Sequence, residues 1–332
     1  MNSPKVSIII LNWNGLKDTI ECLESLKKIT YPNYEVIMVD NGSEGNDADI
    51  LEEKYKDYIK LIRNKENLGF AGGNNVGIKY ALKKGADYVF ILNNDTVIEP
   101  EAITEIVRVA IQNPNRIGMV APTVLDYHCP EFIDRLGIIL TMSGLGYDRK
   151  YVNEGPLLCP SGVAALYSRS MLLAVATDRK EFFDEDFFMY CEDMDIGFRA
   201  VLAGFETLHA ARSIVYHKGS ASSGGRGSGL SIYFHHRNTI WFIVKNYPTS
   251  FLIKYALWII LGQLGGLFKN IGHKEFGYVW RGKVDGLKGA KKMWSKRLAS
   301  GIWIKHHNIP ISKKLFIIKR RGTSVPCKRG QT

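Results

Sequence analysis

At 332 residues the chain can form one large domain or two ordinary ones with a well-buried core, and its 45% hydrophobic and 23% charged content excludes a disordered polymer or a collagen-like repeat. The net charge of +11 is unevenly divided: residues 233–332 carry 20 Lys and Arg against only Glu275 and Asp285, whereas the first 232 residues carry 24 basic against 31 acidic side chains. An acidic front suits chemistry with a cation, and a basic rear suits attraction to a polyanion, either an anionic membrane surface or nucleic acid.

The front third alternates strand-like and helix-like segments. VSIIILNW (6–13) is apolar and β-branched, and Leu16, Ile20, Leu23 and Leu26 then recur on one helical face. YEVIMVDNG (34–42) reads as a second strand and KLIRN (60–64) as a third. AGGNNVGIKYALKKG (71–85) reads as a helix closing on Gly85, YVFILNND (88–95) as the fourth strand, and EAITEIVRVAIQN after Pro100 as a helix. Continuous apolar strands alternating with helices imply a parallel sheet covered on both faces, which binds ligands beyond the carboxyl ends of its strands. Those ends are polar here: residues 12–14, 40–43 and 93–95.

The middle is more mixed. LLCPSGVAALYS (157–168) has strand character, EDMDIGFRAVLAGF (192–205) predicts a short amphipathic helix with an acidic start, and ETLHAARSIVYHKG returns to strand. SASSGGRGSG (220–229) predicts a mobile loop, and beyond residue 233 the pattern is helical, aromatic and basic. The most apolar run, 251–268, contains Lys254 and then only 14 residues before Lys269, short of the roughly 20 that span a bilayer. A buried or interfacial helix is expected there. Five scattered cysteines without metal-ligand spacing fit a reduced, cytosolic chain, and the opening MNSPKVSIII lacks the regions of a signal peptide.

Several side chains bear chemistry, each with a bland alternative. Asp95, in FILNNDT, suits a hard divalent cation that also holds phosphates, or the cap of the next helix; Asn94 beside it suits a sugar hydroxyl. Asp40 suits a ribose or base N–H, or an Asx turn. NLGFAGGNNVGI (67–78) is glycine-rich ahead of a helix, so its backbone could approach a nucleotide, but it lacks the spacing of a dinucleotide fingerprint or a P-loop. In FFDEDFFMYCEDMDIGFRA (182–200), Glu192, Asp193 and Asp195 crowd a helix start beside aromatics that would raise a carboxylate's pKa toward the general-base range; a structural cap is the alternative. His217 follows a strand and is either structural or a metal or diphosphate contact.

In their order, VSIIILNWNG, VDNGS, NLGFAGGNNVGI, FILNNDTVI, FFDEDFFMYCEDMDIGFRA, IVYHKGSAS and YFHHRN resemble the family-2 glycosyltransferases of GT-A fold, most closely the bacterial rhamnosyltransferase-like branch. The resemblance implies an α/β catalytic domain over 1–232, with a mostly parallel sheet flanked by helices, and a basic, aromatic, mainly helical region over 233–332 for acceptor or membrane-surface contact. It implies that Leu11, Trp13, Asp40 and Asn74 hold the nucleotide and that Asn94, Glu192 and Arg237 contact the donor. It further implies that Asp95 and His217 hold Mg²⁺ or Mn²⁺, and that Asp193 is the catalytic base. The family's Asp-X-Asp motif falls on Asn93, Asn94 and Asp95. With Asn93 neutral, the cation site leans on His217 and the donor diphosphate, so metal binding should be poor without nucleotide.

The reaction implied is a metal-dependent inverting displacement, with Asp193 taking the proton of an acceptor hydroxyl and the 220–229 loop closing over the donor. dTDP-rhamnose is the first choice of donor. The acceptor implied is a glycan, or one carried on a polyprenyl diphosphate, in cell-surface polysaccharide synthesis. The enzyme would then be cytoplasmic and peripheral at the inner face of the cell membrane, where Trp241, Trp258, Trp280, Trp294 and Trp303 among Lys and Arg suit an interface. A sugar nucleotidyltransferase would need a basic Gly-rich loop after the first strand, which LNWNGLKD does not supply. A nucleic-acid-binding protein would use the tail but leave Asp95 and Asp193 unexplained, so no nucleic acid is expected as a partner.

Overall fold

The structure is a computed structural model that describes residues 3–177, 179–219 and 228–299 and a two-residue strand at 315–316. Its first half alternates β1 (Val6–Asn12), α1 (Leu16–Leu26), β2 (Tyr34–Asp40), α2 (Asp47–Tyr55), β3 (Ile59–Arg63), α3 (Gly69–Lys83) and β4 (Tyr88–Asn93). Then follow β5 (Thr96–Ile98), α4 (Ala102–Ala110), β6 (Ile117–Asp126), β7 (Ile133–Arg135), β8 (Ile138–Thr141), β9 (Gly146–Asp148), β10 (Ala164–Ser168) and α5 (Arg169–Val175). The rest is α6 (Glu192–Leu202), β11 (Glu206–His217), α7 (Gly229–Asn246), α8 (Thr249–Lys254), α9 (Ala256–Phe268), α10 (Phe276–Ala299) and β12 (Leu315–Phe316).

The main sheet runs β3-β2-β1-β4-β10-β6-β11-β5, with β7 paired to β6; β8, β9 and β12 form a small second sheet. The first four strands are parallel, as continuous apolar strands between helices require. Beyond β4 the sheet is mixed: β10 runs antiparallel to β4 and β6, β5 antiparallel to β11, and β11 parallel to β6. Alternate residues of each strand enter different cores. Ile9, Ile37, Val89 and Ile91 face the side covered by α3, α6 and α7, while Ile8, Ile10, Met38 and Phe90 face α1 and α4.

Two glycines of the 67–78 run have a packing reason. A Cβ on Gly73 would lie 2.4 Å from Cδ1 of Leu11, and one on Gly77 would lie 2.6 Å from Cγ2 of Ile9, so their absence lets α3 settle directly on β1. The strand expected over 157–168 is shorter, Ala164–Ser168, and the residues ahead of it form a loop in which Cys159 bridges to Ile138.

The basic region does not pack as a body apart. α7 begins at Gly229, inside the front segment drawn from the sequence, and Trp241, Phe242 and Tyr247 share one core with β1, β4 and α6. Trp241, expected at an interface, is buried: its indole donates to the Gly286 carbonyl at 3.1 Å. Trp303 and residues 220–227 of the expected loop lie outside the described residues. Cys22, Cys159 and Cys191 are buried thiols, whereas Cys129, in a half-exposed loop, is disulfide-bonded, a departure from the fully reduced set expected. Among the described residues no helix is long and apolar enough to cross a membrane; the 251–268 run is divided between α8 and α9 at Tyr255.

Candidate active site

Parallel register brings the polar strand ends together, with Asn12 beside Asp40 and Leu11 beside Asn93. The buried Asn12 amide donates to Asp40 Oδ1 at 3.0 Å and lies within reach of Ser43 Oγ and Asp47 Oδ2, while its Oδ1 accepts from Thr19 Oγ1 at 2.8 Å. Thr19 Oγ1 in turn accepts from Asn94 Nδ2 at 2.9 Å. Gly15 makes room for this chain, because a Cβ there would lie 2.4 Å from Asn94 Nδ2. A second buried amide, Asn41, donates to Asn67 Oδ1 and the Gly69 carbonyl and accepts from Asn64 Nδ2 and Leu68 N, so it holds the loop that feeds α3.

Beyond these ends lies a cavity of about 730 Å³, within the range of small-molecule sites. Seven of the residues singled out in the sequence line it: Leu11, Trp13, Asn94, Asp95, Glu192, Asp193 and His217. Three do not. Asp40 is turned to Asn12 and to the backbone N–H of Ser43, and the buried Asn74 donates to the Phe70 carbonyl. Arg237 donates to the carbonyls of Asp186 and Phe187 and lies 4.0 Å over the Trp241 ring. Aromatic stacking and two carbonyl acceptors hold its guanidinium, which does not line the cavity.

Asp95 and His217 of the lining form a buried row with Asp134 behind them. β5 pairs with β11 so that His217 stands opposite Thr96, and the Lys218 amide donates to the Asp95 carbonyl at 3.0 Å. His217 Nε2 thus faces Asp95 Oδ2 at 3.4 Å. On its other side His217 Nδ1 lies 2.8 Å from Asp134 Oδ2, delivered by β7 through its pairing with β6. Burial disfavours a charged imidazole, but hydrogen bonds to Asp134 and Asp95 outweigh it and raise the His217 pKa. The donor set fits a hard divalent cation: adjacent octahedral ligands at about 2.1 Å from the metal stand roughly 3 Å apart, close to the Asp95–His217 spacing. Among the described residues no group of three or more His, Cys, Asp and Glu is arranged as a metal site.

The start of α6 also lines the cavity. Glu192 and Asp193 follow a loop in which Phe188, Tyr190 and Cys191 all have positive φ, uncommon for residues with side chains. Asn238 Nδ2 lies within 2.7–2.9 Å of the Phe187, Met189 and Tyr190 carbonyls and, with Arg237, holds this loop in shape. Asp193 is partly exposed to the cavity, and its oxygens accept from the amides of Gly162 at 3.1 Å and Met194 at 2.8 Å. Burial nevertheless prevails over those bonds and pushes its pKa up to about 6. Glu192 is buried deeper, its Oε2 has no hydrogen-bond partner among the described residues, and burial plus the Asp193 charge raise its pKa well above the carboxylate range. Burial thus raises the pKa of both carboxyls of the pair.

The sequence reading missed Asp134, Arg135, Asp148 and Lys150, which come from β7, β9 and the residues just after β9. Arg135 pairs with Asp134 at 2.9 Å and Asp148 at 3.3 Å, and Arg135, Asp148 and Lys150 line the cavity. The strands β7 and β9 are three residues long, too short for a periodic signal.

A mixed α/β sheet with a polar cavity beyond the carboxyl ends of its parallel strands defines a GT-A-type fold. The chain belongs to glycosyl transferase family 2, whose model matches residues 7–175. It is 36% identical over 110 residues to an uncharacterized glycosyltransferase of Haemophilus influenzae, a match covering 33% of this chain and 36% of that one. It is 26% identical over 213 residues to a poly-beta-1,6-N-acetyl-D-glucosamine synthase of Staphylococcus epidermidis, covering 64% of this chain and 49% of that one. These matches thus span a third to a half of the relatives' length. In structure the chain is similar to the mannosyltransferase PcManGT of Pyrobaculum calidifontis, solved with GDP-Man and Mn²⁺, at a TM-score of 0.55 and 15% identity, covering 91% of this chain and 87% of that one.

Proposed function

We propose that this protein is an inverting glycosyltransferase that moves a hexose, first choice rhamnose from dTDP-rhamnose, to a hydroxyl of a glycan carried on a polyprenyl diphosphate at a membrane surface. The observation that carries the proposal is a cavity lined by the Asp95–His217 pair and by Asp193, its pKa pushed up to about 6. Family membership and a polysaccharide-synthesising relative support glycan assembly as the setting. The rhamnose choice rests on the motif resemblance alone.

In this reading Leu11, Trp13 and the braced Asn41 loop seat the nucleoside, and Asn94 meets the donor sugar. Asp40 and Asn74 act from behind the cavity wall by fixing the strand end and the α3 start. Mg²⁺ or Mn²⁺, when bound by Asp95 and His217, would neutralise charge gathering on the departing diphosphate. Asp193 accepts the proton of the attacking hydroxyl, and Glu192 beside it in the cavity lining contacts the donor. The aromatic walls limit competing water.

Thermal-shift screening of nucleotide sugars, each with and without Mn²⁺ or Mg²⁺, tests the reading. Stabilisation by one base and one sugar, enlarged by the cation, is expected. No response to any nucleotide sugar, together with salt-sensitive retention of RNA, would replace the proposal by nucleic-acid binding.

A further inference from the structure

The most unusual surface of the molecule is the helix pair α8–α9, in which no residue is buried. In α9 the amphipathic pattern is inverted. Its inner face carries Gly262, Gln263 and Gly266: a Cβ on Gly262 would lie 2.7 Å from Ser143 Cβ, one on Gly266 would lie 3.2 Å from His236 Cε1, and Gln263 Oε1 accepts from Lys283 Nζ at 2.9 Å. Its outer face carries Leu257, Trp258, Ile260, Leu261, Leu264 and Phe268, which are 41–65% exposed and recur every three to four residues. Ile253 before them and Ile271 after them extend the patch. A contiguous apolar face of this kind marks an interaction site.

Charge identifies the occupant. Lys254 and Lys269 bracket the apolar run, and Lys274, Arg281, Lys288 and Lys291 stand exposed beyond it. Over residues 249–299 only Glu275 and Asp285 oppose them, and both lie partly covered beside basic neighbours. A second copy meeting this face across a twofold axis would set like charges together. An anionic bilayer satisfies both features: acyl chains receive the Leu, Ile and Phe side chains, Trp258 suits the interface, and the flanking lysines reach phosphate headgroups.

We infer that α9 lies flat in the surface of an anionic bilayer as a monotopic anchor. The helix is one diameter thick, roughly 10 Å, and its inner face touches His236, which with His235 lines the catalytic cavity. Docking therefore sets the cavity at headgroup level, where a hydroxyl close to a lipid diphosphate is presented. That second step rests on the glycosyl-transfer reading; the docking does not.

Vesicle flotation of the full chain tests it, comparing phosphatidylcholine vesicles with vesicles that also contain phosphatidylglycerol, for wild type and for the double variant Leu261→Asp, Leu264→Asp. Donor hydrolysis in solution is followed in parallel, so that failure to dock and failure of the glycosyl-transfer reading give separate signals. Wild type is expected to float with anionic vesicles and roughly tenfold less with neutral ones, and the variant to lose at least about tenfold on anionic vesicles with its melting temperature and donor turnover retained. Wild type that ignores anionic vesicles, or a variant that binds them undiminished, overturns the inference. So does a dimer, seen by light scattering, that the same two substitutions dissolve, since the occupant would then be a second copy.

Discussion

Nδ1 of His217 lies 2.8 Å from Oδ2 of Asp134, and the opposite nitrogen of the same ring faces Asp95. A carboxylate behind a histidine fixes the ring's orientation and its tautomer and makes the free nitrogen more basic, which is how a metal-binding imidazole is tuned. Asp134→Asn keeps the shape and removes the charge. In calorimetric titrations with nucleoside diphosphate present, Mn²⁺ affinity should fall roughly tenfold to a hundredfold, while nucleotide affinity without metal stays near wild type. Unchanged Mn²⁺ affinity would remove Asp134 from the site.

The raised pKa of Asp193 has two consequences of opposite sign. A base works only when deprotonated, so kcat/KM should climb with pH and level off above about 6. Folding shows the reverse: because the folded-state pKa lies above that of the unfolded chain, the extra bound proton favours the fold below the ordinary Asp range, and this contribution is lost as pH rises through about 6. Asp193→Asn should lower transfer by about 10²–10⁴ with nucleotide affinity nearly intact. It should also erase the acidic limb of any residual rate, which stopped-assay profiles across pH would check.

Arg237, read from the sequence as a donor contact, and Asn238 beside it brace the left-handed loop ahead of Glu192 and Asp193. Asn238→Ala leaves three carbonyls without their shared donor and should cost about 1–3 kcal/mol in urea unfolding. Because the loop aims Asp193, kcat should fall more than KM rises. Equal effects on both would mean that the loop binds substrate and does not position the base.

The alternating front half and the polar strand ends were legible because buried parallel strands and their flanking helices write long apolar runs into the sequence, as VSIIILNW and YVFILNND show. Asp95, Asp193 and His217 were each singled out in the sequence at the end of an element, and the fold brings all three to one cavity. Asp134 was not: it reaches His217 only through two successive strand pairings, β7 on β6 and β6 on β11, across 83 residues. No local period records such a contact. The contacts of Arg237 were hidden for a similar reason, since a conspicuous basic residue gives no sign of the aromatic ring and two carbonyls that hold it.

A buried ion network joins the basic helices to the segment leading into α6. Lys245 Nζ stands 2.7 Å from both Asp184 and Asp195, Lys296 bonds Asp184 and Asp186, Lys292 reaches Asp186, and Arg199 pairs with Asp195 at 2.9 Å. Burial alone would raise the pKa of Asp184 and Asp195, but Lys245, aided by Lys296 at the first and Arg199 at the second, holds both below the ordinary carboxylate range. Depressed carboxylates stabilise a fold above their unfolded pKa, and that stability is lost as pH falls through their folded values. Lys245→Met should therefore take one cation from each of two buried anions, leaving Lys296 on Asp184 and Arg199 on Asp195, and cost up to about 3–5 kcal/mol near neutral pH. On acidification the variant's carboxylates would protonate before those of the wild type, so the deficit should narrow toward about pH 4. Urea unfolding of both proteins at the two pH values measures this directly, and a deficit that stays constant between them would mean that Lys245 acts by packing, with no contribution from its charge.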